Sequence, residues 1–253
     1  MGFGVYGAVV AVHLAAQLLG ADDLARWSQW ALIPVLAGAF VAAGHGDRRP
    51  EAMRYPSSLD PLRPAAPLSS ARGGAPARTS HPSRLRGFVL AGLVFSWLGD
   101  TVPHFVGGTV GSTEPGFTSF LVLIAMFAIA QTLYAVAFWP CRSRSVLRTP
   151  WLLAYLGAAA VMVALCAPGA GALLPAVVVY ALLIALMAVL ATGVNRLTAT
   201  GAVLFMVSDS IIALGAFAPW WNVPGQGFWV MSTYALAQLL IALGVLTRDP
   251  SAA

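Results

Sequence analysis

Long apolar runs separated by short polar turns dominate the chain. A helix needs about 20 apolar residues to cross a hydrocarbon core about 30 Å thick, and runs of about 17 to 25 residues are usual. Each run is expected to be helical, because an open extended segment in lipid would leave backbone groups unpaired. The pattern therefore predicts an all-α fold, a polytopic membrane helix bundle that forms one membrane domain over residues 1–253. Eight transmembrane helices are predicted, at about 3–20, 28–43, 87–105, 117–138, 150–167, 171–191, 198–218 and 228–246.

One polar stretch, residues 44–85, interrupts this regularity. It is rich in Pro, Arg, Ser and Gly and holds almost no large apolar residues. A segment of this composition cannot bury enough apolar surface to fold, so we expect a flexible cytoplasmic loop. An alternative role for its arginines is to bind anionic lipid headgroups.

Composition and charge indicate the protein class and the orientation. The chain is 59% hydrophobic and 9% charged, with a mean hydropathy of +0.80, whereas about 25% of a soluble domain is charged. All 14 basic residues are arginine. If the even-numbered helices end on the inner side of the membrane, every arginine except Arg26 falls in an inner loop or in the C-terminal tail. Because basic residues accumulate on the cytoplasmic side, this distribution predicts a multi-pass protein of the cell membrane with both termini cytoplasmic. The net charge of +5 then reports orientation and not nucleic-acid binding.

Two carboxylates lie inside apolar runs, Asp100 in the third and Asp209 in the seventh. An ionisable side chain at bilayer depth is costly, and it therefore indicates a functional site. At 1.5 Å per residue, Asp100 lies roughly 20 Å and Asp209 roughly 17 Å from the inner ends of their helices, so the two are predicted to share one level. No arginine lies within these runs to neutralise them.

Neutral polar side chains accompany the aspartates on four helices. We expect them to line one cavity and to bind substrate, although such residues also pair across helix contacts in membranes. The members of this set are Ser96, Gln131, Tyr134, Ser208, Tyr234 and Gln238. The four histidines do not form a ligand cluster with the aspartates, so neither a metal site nor a cofactor is predicted.

Four sequence blocks carry these residues, namely Phe95-Ser-x-x-Gly-Asp100, Gln131-x-x-Tyr134, Gly201-Ala-x-Leu-Phe205-x-x-Ser208-Asp209 and Tyr234-x-x-Ala-Gln238. In this order and with these intervals, they resemble the signature blocks of the YhhN/TMEM86 family, eight-helix membrane proteins that include lysoplasmalogenases. The resemblance implies an ether hydrolase of the alkenylglycerophosphocholine/ethanolamine type, with Asp100 and Asp209 as catalytic residues. It also implies a lysophospholipid substrate, cleaved at its vinyl ether bond to a fatty aldehyde and a glycerophospho-alcohol.

Two positions depart from the family pattern. The helix-four block usually has a histidine where this chain has Gln131, so that histidine cannot shuttle a proton here. A Lys-Pro pair common at the start of the second helix appears as Ile33-Pro34, which removes a phosphate contact. These departures are consistent with a changed headgroup preference, a different ether substrate, or a member that no longer catalyses the reaction.

The chemistry of vinyl ether hydrolysis suits two carboxyl groups. Protonation at carbon produces an oxocarbenium ion, water attacks it, and the hemiacetal collapses to aldehyde and alcohol. As in glycosidases, one neutral acid and one ionised carboxylate can serve these steps. The sequence leaves open which aspartate is the acid. It also leaves open two other functions. One is a proton-coupled transporter, because intramembrane aspartates serve proton relays. The other is a catalytically inactive lysolipid-binding membrane protein.

Overall fold

The computed structural model describes residues 2–46, 81–106 and 117–248. Of these residues 89% are helical, and no strand occurs among them. The α-helices are α1 (Gly2–Leu18), α2 (Asp22–Gly46), α3 (His81–Thr101), α4 (Phe117–Phe138), α5 (Leu152–Ala170), α6 (Leu174–Ala191), α7 (Arg196–Phe217) and α8 (Gln226–Leu246). Short 3₁₀ turns follow three of them, Val102–Phe105 after α3, Trp139–Arg144 and Val146–Arg148 after α4, and Gly171–Leu173 after α5.

Six helical segments of the described chain are long and apolar enough to cross a membrane. They are Asp22–Gly44, Arg84–Phe105, Thr118–Arg144, Leu152–Ala191, Arg196–Phe217 and Gln226–Leu246. The segment Leu152–Ala191 has 40 residues and contains both α5 and α6, while α1 is shorter, with 17 residues. The predicted all-α membrane fold is confirmed, whereas the count of eight spans stays a prediction.

Some helix bounds differ from those that the apolar runs predict. Helix α2 begins at Asp22, about six residues before its apolar run, and the first-turn carboxylates of Asp22 and Asp23 suit a helix N-terminus. Helix α3 begins at His81, inside the stretch expected to be a loop. A helix can extend past the hydrocarbon into water, so its ends need not coincide with the ends of the apolar run. Residues 44–46 of the predicted loop likewise belong to α2, and its remainder, residues 47–80, lies outside the described residues.

Helix α8 is central to one half of the bundle and α6 to the other. Helix α8 packs most extensively on α7 and also contacts α1, α2 and α3. Helix α6 contacts α4, α5 and α7, and α3 packs along α4. Through these contacts the four helices that carry the predicted polar residues become neighbours.

Gly201 lets the backbones of α7 and α8 approach closely. A Cβ atom at this position would lie 2.8 Å from the carbonyl oxygen of Ala237 and 2.9 Å from the backbone nitrogen of Ile241. Small residues at such contacts are typical of membrane helices, where close packing drives association. Asn195 adds a polar tie, because its side chain accepts from the Thr198 amide and donates to the Gly244 carbonyl over 2.6 Å.

We expect Gly201→Leu to lower the thermal unfolding temperature of the purified protein by several degrees. Overfilling a packed interface costs about 1–3 kcal/mol, and α7 would have to separate from α8. Unfolding in detergent, followed by tryptophan fluorescence, measures the effect. The matched control is Gly157→Leu in α5, where a Cβ atom meets nothing within 4 Å; equal shifts in both variants would contradict the interpretation.

Candidate active site

The two predicted aspartates lie on α3 and α7, two helices that both pack against α8. Asp100 is the penultimate residue of α3, and Asp209 lies in the second half of α7. Both side chains are half-buried, and they lie within electrostatic range of each other. Within the described residues neither carboxylate forms an ion pair, since the salt bridge found there joins Arg26 to Asp23. Neutral groups therefore provide the partners of both carboxylates.

Tyr234 holds Asp100. Its hydroxyl, on α8, donates to the Asp100 carboxylate over 2.7 Å. The Tyr234 ring packs edge-to-face against Phe205 of α7 and Phe127 of α4, with centroids 5.5 and 6.0 Å away. Edge-to-face contacts of this kind orient aromatic rings. Side chains from three helices thus fix the direction of the hydrogen bond to a carboxylate on a fourth.

Tyr180 holds Asp209 in a similar way, and the sequence analysis missed it. Its hydroxyl, on α6, donates to the Asp209 carboxylate. The Gln131 side-chain amide donates in turn to the Tyr180 hydroxyl over 3.5 Å. A usable signal was present, because Tyr180 is the sole residue of α6 with a polar side-chain atom, and a buried tyrosine hydroxyl usually finds a partner.

A second polar contact joins α4 to α8, one helical turn after Tyr234 along α8. The Tyr134 hydroxyl donates to the side-chain oxygen of Gln238 over 2.8 Å, and both residues are fully buried. The side-chain nitrogen of Gln238 and the side-chain oxygen of Gln131 are buried without a hydrogen-bond partner among the described residues. Two amide groups thus retain unused hydrogen-bonding capacity close to the aspartates.

The two predicted serines take different positions. Ser96 is completely buried on α3, one turn before Asp100. Ser208 is also buried, and its hydroxyl donates to the backbone carbonyl of Val230 over 3.1 Å. The structure therefore places Ser208 as a bridge between α7 and α8, with its hydroxyl donating to the backbone of α8.

Tyr6 joins this neighbourhood from α1, although the sequence analysis did not select it. Its side chain is 1% exposed, and its hydroxyl donates to the Ala235 carbonyl over 2.8 Å. It also lies within electrostatic range of Asp100 and Tyr134. A tyrosine near a helix terminus has no distinguishing sequence signal, so only the tertiary contacts reveal it.

Two apolar cavities meet at Asp209 and Tyr180. The larger, about 310 Å³, lies between α5, α6 and α7 and is lined by alkyl side chains apart from Tyr155, Asp209, Tyr180, Ser210 and Cys166. The smaller, about 50 Å³, lies between α4, α6 and α7 and also touches both residues. Asp100 does not line either of these two cavities, and the expectation that both carboxylates face one cavity stays a prediction.

The two histidines whose side chains the structure describes, His13 and His104, have partners other than the aspartates. The Nδ1 atom of His13 lies 2.9 Å from the Ala25 carbonyl and 3.0 Å from the Ser28 hydroxyl, where it connects α1 to α2. The His104 ring packs edge-on against Trp30. Within the described residues no group of three or more His, Cys, Asp or Glu side chains is arranged to hold a metal ion.

The chain is similar to one family model and to curated proteins from two mammals. The model of the YhhN family matches residues 67–245. Human lysoplasmalogenase TMEM86A is 34% identical over 184 residues, which cover 68% of this chain and 70% of the relative. The bovine protein of the same name is 36% identical over 185 residues, with the same coverage. No solved structure matches the chain significantly.

The matched region contains all of α3 to α7 and nearly all of α8, and with them every member of the polar set. It covers well over half of the chain, so the family resemblance seen in the four sequence blocks is confirmed. We conclude that this multi-pass helical membrane protein belongs to the YhhN family.

Proposed function

We propose that the protein is a lysoplasmalogenase-like hydrolase that cleaves the vinyl ether bond of a lysoplasmalogen. The names of the TMEM86A relatives support the substrate class. The observation that carries the proposal is the pair of carboxylates, each bonded to a tyrosine hydroxyl and neither paired with a cation in the described chain. Carboxyl groups in two distinct environments suit acid and base roles.

Asp209 is the better placed of the two to act as the general acid. It lies at the junction of the two apolar cavities, where the alkenyl chain of a lysolipid would be accommodated. In the protonated form it would donate its proton to the alkene carbon that is not bonded to the ether oxygen. The positive charge would then be shared between the adjacent carbon and the ether oxygen as an oxocarbenium ion.

Asp100 would complete the reaction as the ionised partner. Its negative charge stabilises the oxocarbenium ion, and it takes a proton from the attacking water to give a hemiacetal. That proton passes to the departing glycerol oxygen as the carbon–oxygen bond breaks. The hemiacetal hydroxyl returns a proton to Asp209, so both carboxyl groups recover their starting states and the products are an aldehyde and an alcohol.

Gln131 acts in this scheme by position and not by proton transfer. An amide side chain does not titrate in water, but this one donates to the hydroxyl that holds Asp209. Gln131 thus takes part in a chain of hydrogen bonds from α4 through α6 to α7. This geometry favours a catalyst over the inactive lipid-binding alternative.

We also propose that all eight helices cross the membrane, with both termini cytoplasmic. At 1.5 Å per residue, helices of 17, 19 and 18 residues extend roughly 25–29 Å, close to the thickness of a hydrocarbon core. Helices α5 and α6 pack on each other, and Gly171 between them has a φ of 49°, which favours glycine and permits the reversal. The pair is therefore a hairpin that crosses twice.

We expect Asp100→Asn and Asp209→Asn each to reduce aldehyde release at least about 100-fold, because general acid–base catalysis contributes about 10²–10⁴-fold. The assay supplies lysoplasmalogen to membranes that contain the tagged protein, with expression matched by the tag. Asp23→Asn, an exposed carboxylate paired with Arg26, is the control and should retain activity. The absence of aldehyde from the wild-type protein, or full activity in both variants, would refute the proposal.

Removing the Tyr180 hydroxyl should lower kcat about tenfold or more, because this hydroxyl stabilises the negative charge that Asp209 gains as it gives up its proton. A hydrogen bond to a charged group contributes about 1.5–3 kcal/mol. Tyr180→Phe keeps the ring and the packing of α6. Tyr155→Phe serves as the matched control, since Tyr155 lines the same cavity from α5 without contact to an aspartate in the described structure. Equal kcat values in the two variants would show that the tyrosine–aspartate contact has no catalytic role.

Reporter fusions should show that Leu152–Ala191 crosses the membrane twice. With both termini cytoplasmic, alkaline phosphatase fused after Ala172 should be active and green fluorescent protein should be dark, and the reverse should hold for fusions after Val194. Phosphatase requires the outer compartment and the fluorescent protein the inner one. The same reporter response at both positions would mean that α5 and α6 do not form a spanning hairpin.

A further inference from the structure

A pocket of about 540 Å³ lies at the end of the bundle where α3 begins and where α4 and α8 end. Three arginines from chain-distant elements line it. Arg84 belongs to the first turns of α3, Arg144 ends the 3₁₀ turn after α4, and Arg248 follows α8. Ser143 contributes a hydroxyl to the same lining. The fold thus gathers three guanidinium groups around one concave surface.

These arginines have no acidic partner within the part of the chain that the structure describes. No salt bridge there involves Arg84, Arg144 or Arg248, and the described residues that line the pocket include no carboxylate. A guanidinium group presents five donors in a planar fork that matches the oxygens of a phosphate. Three such groups without a carboxylate among them favour an anionic ligand.

Part of the remaining wall of the pocket is apolar, and two of its residues are exposed on the outside of the bundle. Leu85 and Phe88 of α3 and Val136 and Ala137 of α4 form it. Phe88 is 38% exposed and Val136 45% exposed, on helices that span the membrane. The cationic groups lie at the helix ends, where lipid headgroups are found, and the apolar wall continues from them toward the bilayer interior. This arrangement matches a phospholipid, with a charged head and an apolar chain.

The pocket is separate from the aspartate site. Arg84 precedes Asp100 by sixteen residues on α3, which corresponds to roughly 24 Å along the helix. A lysolipid with its vinyl ether at Asp100 has its phosphate only a few bonds away, across its glycerol. The substrate phosphate therefore cannot occupy the pocket during cleavage.

We propose that this pocket binds the phosphate headgroup of an anionic membrane phospholipid at the arginine-rich end of the bundle. Arg84, Arg144 and Arg248 bind the phosphate, and one acyl chain lies along the exposed faces of Phe88 and Val136. The bound lipid connects the ends of α3, α4 and α8. It is a lipid ligand and not a substrate, and its binding does not depend on the ether hydrolase activity.

The experiment measures lipid binding to the purified full-length chain in a neutral detergent by native mass spectrometry. The probe is dioctanoyl phosphatidylglycerol, titrated alongside dioctanoyl phosphatidylcholine and inorganic phosphate. Arg144→Ala/Arg248→Ala removes two of the pocket arginines. The matched control is Arg148→Ala/Arg196→Ala, which removes the same charge from two exposed positions that do not line the pocket. Thermal unfolding checks that each variant is folded, and Arg84→Ala provides a second, independent test.

We expect one phosphatidylglycerol to bind per chain, with a dissociation constant at least tenfold higher in Arg144→Ala/Arg248→Ala and unchanged in the control. Phosphatidylcholine should bind more weakly, and millimolar phosphate should not displace the lipid. Loss of affinity of equal size in both double variants would indicate diffuse surface charge and overturn the proposal. Displacement by phosphate would assign the pocket to a free anion instead, and the absence of saturable binding, or equal binding of phosphatidylcholine, would also refute the lipid site.

Discussion

Two carboxylates lie in an apolar helix bundle without a cation paired to them in the described chain. The site depends on the hydrogen bonds from neutral donors that stabilise them. Tyrosine hydroxyls on α8 and α6 provide them. A tyrosine combines an apolar body, which packs in lipid-like surroundings, with one donor at its tip. The described bundle thus keeps its charged groups partnered while its helices remain apolar enough to lie in a membrane.

This solution ties catalysis to helix packing. The hydrogen bond to Asp100 depends on the approach of α8 to α3, while Gly201 brings α7 against α8. The Tyr180 contact depends on α6, which connects the second carboxylate to Gln131 on α4. The partners come from helices that are far apart in the chain. The acid and base roles proposed for the aspartates therefore rest on contacts among α3, α4, α6, α7 and α8.

The arginine-rich end of the bundle meets a different constraint. Inner arginines are expected for orientation alone, since they bias the topology of a membrane protein. Orientation does not require them to converge, yet Arg84, Arg144 and Arg248 share one pocket. Their convergence beside a partly exposed apolar wall is a property of the fold and carries the lipid-binding proposal.

The sequence alone determined the all-helical membrane class, because hydrophobic runs of bilayer length can satisfy their backbone groups only as helices in lipid. It also selected Asp100, Asp209 and most of their polar neighbours, since a charge inside such a run is conspicuous. The tertiary structure decided which side chains donate hydrogen bonds to the two carboxylates. Tyr180 and Tyr6 were missed because a tyrosine in an apolar helix is also an ordinary packing residue, and only interhelical contacts show which hydroxyl reaches a carboxylate. The separate surroundings of the two aspartates were likewise settled by packing, since helix rotation and interhelical distance depend on side chains far apart in the chain.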